Sequence, residues 1–495
     1  MNPSKSARSL FSRISFCKEV FACVEVQQVL MVFFLAMAIL WGHIESESLY
    51  SADGIVYALV GKELSRKPLI EWAVLTCNGS LFFEHPHLTP WILGIFMKIF
   101  GATTLSALMP IVLISHGTVL LTYFLSRKLL DHRFGMLAAT VLSLTPQFLK
   151  NGRNPMMEPA LMLCIMLTIF FYIHAVSKRQ FLHTLLAGFF FGLSFLAKGP
   201  PSILALAVIA AFQGLTHRSA SVQLTQWRVP WKNFFIQFLI IILTGTTVVL
   251  LVDLWYYFIT GGSFFAYYIS HQLKFTVIEG RGVPTNELWF YLKLFLHYWP
   301  WMPLVMLSIP LVFFKKDQTA IPALIIGGLI TLGTHLGFTL SKQKSDWYIA
   351  IYYVGSSMLA ALSLRYLISE KVFQKYYVKS CFSLIIPLLF LSASFPSIFT
   401  HYPRPVEQFL EKASSKLHPT WEEKMVSDCI DTDPWKGRFF LKFYLGMDKT
   451  TCDDASAQFK IIDNRKNFLN QSKYRILFAD HPFSLIERIT DAGNG

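Results

Sequence analysis

Side chains able to do chemistry are sparse in this 495-residue chain and fall in short polar islands. Asp53 stands just before Tyr57-Ala58. The run LFFEHPHLTPW (81–91) holds Glu84, His85 and His87 among aromatic residues. RNPMMEP (153–159) holds Arg153 and Glu158, and Lys198-Gly199-Pro200 closes an apolar run. His271 and Lys274 form a further island, and Lys342, Lys344 and Tyr348 the last. A carboxylate such as Asp53 can take a proton from a hydroxyl, and the field of a helix start keeps it ionised. Helix capping alone also accounts for Asp53. Glu158 can cap a helix, orient an acceptor or hold a cation. Lys and Arg suit phosphate or pyrophosphate. Glu84, His85 and His87 have ligand chemistry for zinc or manganese, with His271 available from another segment. Phosphate or sugar contact, or a turn stiffened by Pro86, are the other readings of that run. Asp253, inside an apolar run, is either functional or paired with a donor on a neighbouring helix.

The elements that must position these islands are made for lipid. The chain is 54% hydrophobic and 15% aromatic, with 15% charged residues, against about a quarter charged in soluble domains. Apolar runs near 20 residues recur, which predicts a polytopic, all-α membrane protein. Spans are expected at about 28–44, 103–126, 134–149, 159–176, 181–197, 201–215, 234–259, 288–314, 319–340, 347–365 and 380–398, eleven in all. Residues 1–27 form an inner N-terminal arm and the first run reads as a signal anchor. With the N-terminus inside, 18 basic residues fall on the inner side and 12 elsewhere in the membrane part, as the positive-inside rule requires. The segment 400–495 reads as a small soluble domain on the outer side. From His401 onward it holds 14 basic and 14 acidic residues, so the net charge of +14 belongs to the membrane part. That location points to topology and phosphate groups, and away from nucleic acid. No C-x-x-C occurs, and a Cys429–Cys452 disulfide is open if the tail lies outside the cytoplasm.

The first outer loop, 45–102, is long. Leu88 to Phe100 spans only about 20 Å as a helix, too short for a core of about 30 Å. Its stripe of Leu88, Trp91/Ile92, Ile95/Phe96 and Ile99/Phe100 predicts an interfacial helix on the outer leaflet. A second short helix is expected from Asp53 to about Leu64, with Asp53 at its N-cap. All the polar islands then share the outer face, where basic residues oppose the topology rule. A shared task, binding an anionic group at the membrane surface, explains them together.

In this order the islands resemble a known family: the GT-C glycosyltransferases of the bacterial protein-mannosyltransferase and ArnT-like group. The resemblance rests on Asp53 with Tyr57-Ala58, FEHPHLTPW (83–91) with Phe100-Gly101, Arg153 with Glu158-Pro159, GLSFLAKGP (192–200) and FTLSKQKSDWYIAIYY (338–353), and covers about residues 28–365. It implies a GT-C membrane domain over 28–399 that moves a sugar from a polyprenyl-phosphate donor to a glycolipid, such as lipid A, or to a protein. It also implies inversion at the anomeric carbon and a bacterial inner membrane with the active site facing the periplasm. Asp53 takes the place of the catalytic carboxylate, and Glu158 is assigned beside it. Glu84, His85, Arg153, Lys198, Lys274, Lys342, Lys344 and Tyr348 are assigned to the donor phosphate and substrate. The chain departs from the family at Gly54, His85 and His87, and lacks an Asp-x-Glu motif after Arg153. No obligatory cofactor is expected; a divalent metal at Glu84, His87 and His271 stays open. Transport of lipid-linked sugars and a non-catalytic scaffold are the rival functions.

Overall fold

The computed structural model describes residues 24–47, 49, 52–178, 180–218, 222–272, 289–296, 298, 300–341, 344–373, 405–415, 424–429, 434–451, 457–463, 474–480 and 482–488. The chain is an integral, multi-pass membrane protein. Among the described residues six helical segments are long and apolar enough to cross a membrane: Thr104–Leu129, Glu158–Ser177, Phe181–Lys198, Pro200–Arg218, Trp231–Thr260 and Gln318–Thr339. The helices that matter below are α1 (Val24–Trp41), α2 (Ala52–Arg66), α3 (Leu88–Phe100), α4 (Thr104–Leu129), α5 (His132–Ser143), α6 (Pro146–Gly152), α7 (Glu158–Lys178), α8 (Phe181–Lys198), α9 (Ile203–Arg218), α10 (Trp231–Thr260), α11 (Phe264–Tyr268), α12 (Phe290–Leu296), α13 (Met302–Phe314), α14 (Ile321–Thr339) and α15 (Tyr352–Leu367).

Local sequence sets the ends. Thr103 and Ser106 form a reciprocal capping box at the start of α4, and the Asp131 carboxylate accepts from Phe134 N–H at the start of α5. Two expected spans are broken. The 134–149 run divides into α5 and α6 around Thr145-Pro146, and the 288–314 run divides into α12 and α13 near Pro300. Proline lacks the N–H and clashes with the preceding turn, so the chain restarts its helix there. The expected span at 380–398 lies outside the described residues.

Helices α8 and α10 cross closely because Gly188, Gly192 and Gly245 carry no side chain. A Cβ on Gly192 would stand 2.7 Å from the Gly245 carbonyl and from Val248 Cβ. Without a hydrophobic drive between helices in lipid, such small-residue contact lets backbones pack. Most of α10 is otherwise exposed, with Leu250, Leu251 and Phe258 facing outward.

The 45–102 segment contains the two expected helices. α3 has the expected bounds. Leu93, Gly94 and Met97 are buried, while Ile95, Ile99 and Phe100 stay exposed. The later part of the apolar stripe, Ile95, Ile99 and Phe100, is therefore the outward face, suited to lipid, while Leu88 and Trp91 pack on the core. The inner face packs on α2 at Gly61, where a Cβ would meet Leu93 Cβ at 2.7 Å. α2 begins at Ala52, so Asp53 sits in its first turn and not at the N-cap.

The C-terminal part is a five-stranded mixed sheet of β3 (Met425–Cys429), β4 (Asp448–Thr451), β5 (Phe459–Asp463), β6 (Tyr474–Asp480) and β7 (Phe483–Arg488), ordered β4-β3-β5-β7-β6. A two-stranded hairpin, β1 (Thr76–Cys77) with β2 (Ser80–Leu81), lies in the 45–102 segment. Helices α16 (Pro405–Ser414) and α17 (Pro434–Leu445) accompany the C-terminal sheet. α17 rests on the 45–102 segment and the start of α4: the Lys62 ammonium donates to the Phe443 carbonyl, and the Thr104 and Tyr444 hydroxyls share a 2.7 Å hydrogen bond. Lys62 thus serves this contact. Cys452 lies outside the described residues, and with it the question of a Cys429–Cys452 disulfide.

Candidate active site

Helix α2 presents Asp53 and Tyr57 one turn apart on one face. Asp53 is half-buried and Tyr57 is buried. Burial first, then the fields of Asp53, Glu158 and Glu84, hold the Tyr57 phenol well above its ordinary range. Three carboxylates from three separate segments therefore all act on one hydroxyl. Glu84 is exposed. The His85 ring stands edge-on to Tyr57 at 5.3 Å.

Opposite this group, Glu158 at the start of α7 and Lys198 at the end of α8 form a buried ion pair. Each charge complements its helix end, acid at the N-terminus and base at the C-terminus. The Lys198 ammonium also lies 4.1 Å from the centre of the Tyr348 ring, and its carbonyl accepts from the Tyr268 hydroxyl at 3.3 Å. The other Glu158 oxygen, Oε2, is buried with no hydrogen-bond partner. A carboxylate with one spare oxygen beside a lysine can receive a further donor, such as a substrate hydroxyl.

A cavity of about 510 Å³ adjoins this pair. Its polar end is formed by His85, Lys198, Tyr268, Ser341 and Tyr348. Its apolar wall comes from α9 and α14, including Ile203, Leu204, Leu336 and Leu340. The cavity is thus amphiphilic, with Lys198 the cation lining its polar end among the described residues. The Lys344 ammonium is buried nearby and donates to the Ser341 carbonyl at 2.6 Å.

Gly199 makes this geometry possible. Its φ is +73°, and a Cβ there would stand 2.5 Å from the Tyr268 hydroxyl. Gly199→Ala is expected to cost about 1–3 kcal/mol through backbone strain alone. It should also displace Tyr268 from the Lys198 carbonyl, seen as a lower unfolding midpoint in detergent together with weaker substrate turnover.

Other assigned residues lie elsewhere. Arg153 is buried in an ion pair with Glu47 at 2.9 Å and also donates to the Ile39 carbonyl. It ties α1 to the segment leading into α7. Lys274 and Lys342 lie outside the described residues. Asp253 accepts from Ser263 Oγ at 2.8 Å and from Phe265 N–H at 3.2 Å, holding the start of α11; this is the paired reading.

The metal candidates are corrected. Among the described residues no three His, Cys, Asp or Glu side chains gather in a metal-ligating group, so Glu84, His87 and His271 do not form one. His87 is fully buried against Phe264 and Trp91, and its Nε2 bonds the Ala73 carbonyl at 2.8 Å. His271 is exposed and turned to the Tyr267 carbonyl. Burial pushes the His87 imidazole down to about 4, from an ordinary 6.5. Between those values the unfolded chain binds the extra proton, so stability rises with pH through the window and is lost as pH falls through it. Each pH unit there is worth about 1.4 kcal/mol. The unfolding midpoint should therefore drop from pH 6.5 to 4, and His87→Gln should flatten that slope.

Sequence reasoning had Tyr57 only as part of a pattern; its i+4 spacing from Asp53 is the signal that places it at the site. Tyr268 and Glu47 carried no such signal, because their partners are distant in the chain.

Comparison with known proteins bears on this arrangement. The family described as dolichyl-phosphate-mannose-protein mannosyltransferase matches residues 84–255. The fold is similar to ArnT from Cupriavidus metallidurans bound to undecaprenyl phosphate, with TM-score 0.64 and 13% identity over 96% of this chain and 99% of that one. The apo ArnT structure from the same organism gives 0.59 and 14%, over 96% of this chain and 98% of that one. The apo oligosaccharyltransferase of Archaeoglobus fulgidus gives 0.51 and 12%, over 88% of this chain and 65% of that one. No curated protein sequence matches. The chain shares the overall fold of the ArnT structures. Over residues 84–255 it resembles the dolichyl-phosphate-mannose-protein mannosyltransferase family.

Proposed function

We propose that this chain transfers a sugar from a polyprenyl-phosphate donor to a hydroxyl or phosphate acceptor at the outer face of a bacterial inner membrane. The observation that carries the reading is the buried Glu158–Lys198 ion pair, with Lys198 at the polar end of an apolar-walled cavity and the Asp53 and Glu84 charges acting with Glu158 on neighbouring Tyr57. The lipid chain of a donor fits the wall from α9 and α14. Its phosphate fits the end where Lys198, His85 and Tyr348 stand. The similar ArnT structure holds undecaprenyl phosphate, a ligand of this amphiphilic shape.

In this reading Asp53 receives the proton of the acceptor hydroxyl as its oxygen bonds the anomeric carbon. The bond from that carbon to the phosphate oxygen breaks, and polyprenyl phosphate leaves with the electron pair. Lys198 offsets the charge that grows on it. Lys344, Lys274 and Lys342 join in holding the phosphate, and Arg153 acts through the loop that carries Glu158. The low-dielectric wall excludes water and keeps the sugar for the acceptor.

Purified chain in lipid nanodiscs, offered labelled polyprenyl-phosphate sugars with membrane glycolipids and proteins in turn, tests this. Label should move to one acceptor class. Failure with every donor, alongside carriage of label across vesicles, would favour transport instead.

A further inference from the structure

Hairpin helices α7 and α8 carry the Glu158–Lys198 pair at one end. A second cavity, of about 570 Å³, lies at their other end, where α7 finishes and α8 begins. It is enclosed by the start of α10 and the 225–230 loop. The two cavities therefore sit toward opposite faces of the membrane.

The lining of the second cavity has a definite chemistry. Gln180, Asn233 and Gln237 contribute amides, Thr184 a hydroxyl and Arg228 a guanidinium, and among the described residues no carboxylate lines it. Thr184 is 2% exposed. Gln237 Oε1 is buried with no hydrogen-bond partner, so it has room for a donor from a ligand. Two helix N-termini also converge here. α8 opens at Gln180 and α10 at Pro230, and neither has a side-chain cap on its first N–H groups. Free N–H groups and aligned dipoles favour an anion. Arg228 donates to the Thr216 carbonyl through Nε and Nη2, which fixes the guanidinium at the cavity wall. Trp231 stacks on His217 at 4.3 Å beside the opening, an arrangement common at headgroup depth. Phe181 and Ile236 line the cavity and remain 63% and 49% exposed, an apolar flank open to acyl chains.

We infer that this cavity binds an anionic phospholipid with a polyol headgroup, from the cytoplasmic leaflet. The Arg228 guanidinium and the two helix starts match a phosphodiester. The amides, with the unpartnered Gln237 oxygen, match headgroup hydroxyls. The exposed apolar flank matches the chains. Basic pockets between membrane helices on this side are known to hold such headgroups. The assignment stands apart from the reaction proposed for the other end of the hairpin.

The test uses the full chain, delipidated in detergent, with native mass spectrometry and thermal unfolding as readouts. Phosphatidylglycerol, phosphatidic acid, phosphatidylcholine, and glycerol 3-phosphate as a free headgroup are offered separately. Phosphatidylglycerol should bind one per chain, roughly tenfold tighter than phosphatidylcholine, and should raise the unfolding midpoint. Phosphatidic acid should fall between them, and glycerol 3-phosphate should bind far more weakly than the lipids. Gln237→Glu, which sets a negative charge in the cavity, and Arg228→Gln should each remove the preference. Lys315→Gln, the same loss of charge elsewhere on that face, should leave it intact. Where Arg228→Gln lowers the lipid-free midpoint, Gln237→Glu alone decides. Equal binding of phosphatidylglycerol and phosphatidylcholine, or a preference unchanged in Gln237→Glu, overturns the assignment. Tight binding of glycerol 3-phosphate would identify a free phosphate metabolite as the ligand and overturn the lipid.

Discussion

Asp53→Asn should abolish sugar transfer while the protein still inserts and folds. The substitution keeps the side chain's shape and removes its basicity. Loss of a positioned general base lowers a rate by about 10²–10⁴-fold. The residue is half-buried in the first turn of α2, so the amide meets no new crowding. The measurement is turnover of labelled donor by purified variant, beside its unfolding midpoint and its affinity for unlabelled donor. Donor affinity should be nearly unchanged, because Asp53 acts on the acceptor. Transfer at wild-type rate in this variant would remove Asp53 from the mechanism and leave Glu84 and Glu158 to account for the base.

Lys198→Met should produce the largest combined loss. It leaves Glu158 as an uncompensated charge in a buried place, where breaking one partner costs about 3–5 kcal/mol. It also removes the cation from the polar end of the cavity, so donor binding should fall with stability. The double variant Glu158→Gln with Lys198→Met separates the two effects. Replacing both charges restores folding, because no lone charge stays buried. Donor affinity and transfer should remain low. Recovery of transfer in the double variant would show that the pair is structural only.

Much of the frame was legible because it depends on local patterns. The bounds of α3 follow from a short apolar run between Pro86 and Gly101. Glu158 and Lys198 could be picked as site residues because charged residues at the ends of apolar helices are few. Their pairing could not, since residues 40 apart meet only once α7 and α8 fold into a hairpin. The same limit hid Glu47 as the partner of Arg153. His87 misled for a different reason. Its residue type suits a metal, but its surroundings, Phe264 and the Ala73 carbonyl, come from other segments and make it a neutral core group. Period alone also cannot tell whether an apolar stripe meets protein or lipid, and α3 turned the later part of its stripe outward.

The hold on α2 has a mechanical meaning. This helix is pressed on one side by α3 through Gly61, and gripped on another by Phe443 through Lys62. Such an element behaves as an anvil: it has no slack in which to follow a substrate. Any rearrangement that the proposed reaction needs would then fall to the facing wall, where the Tyr348 ring covers Lys198. In the proposed reaction the Asp53 carboxylate would stay where α2 is held, and donor and acceptor would come to it.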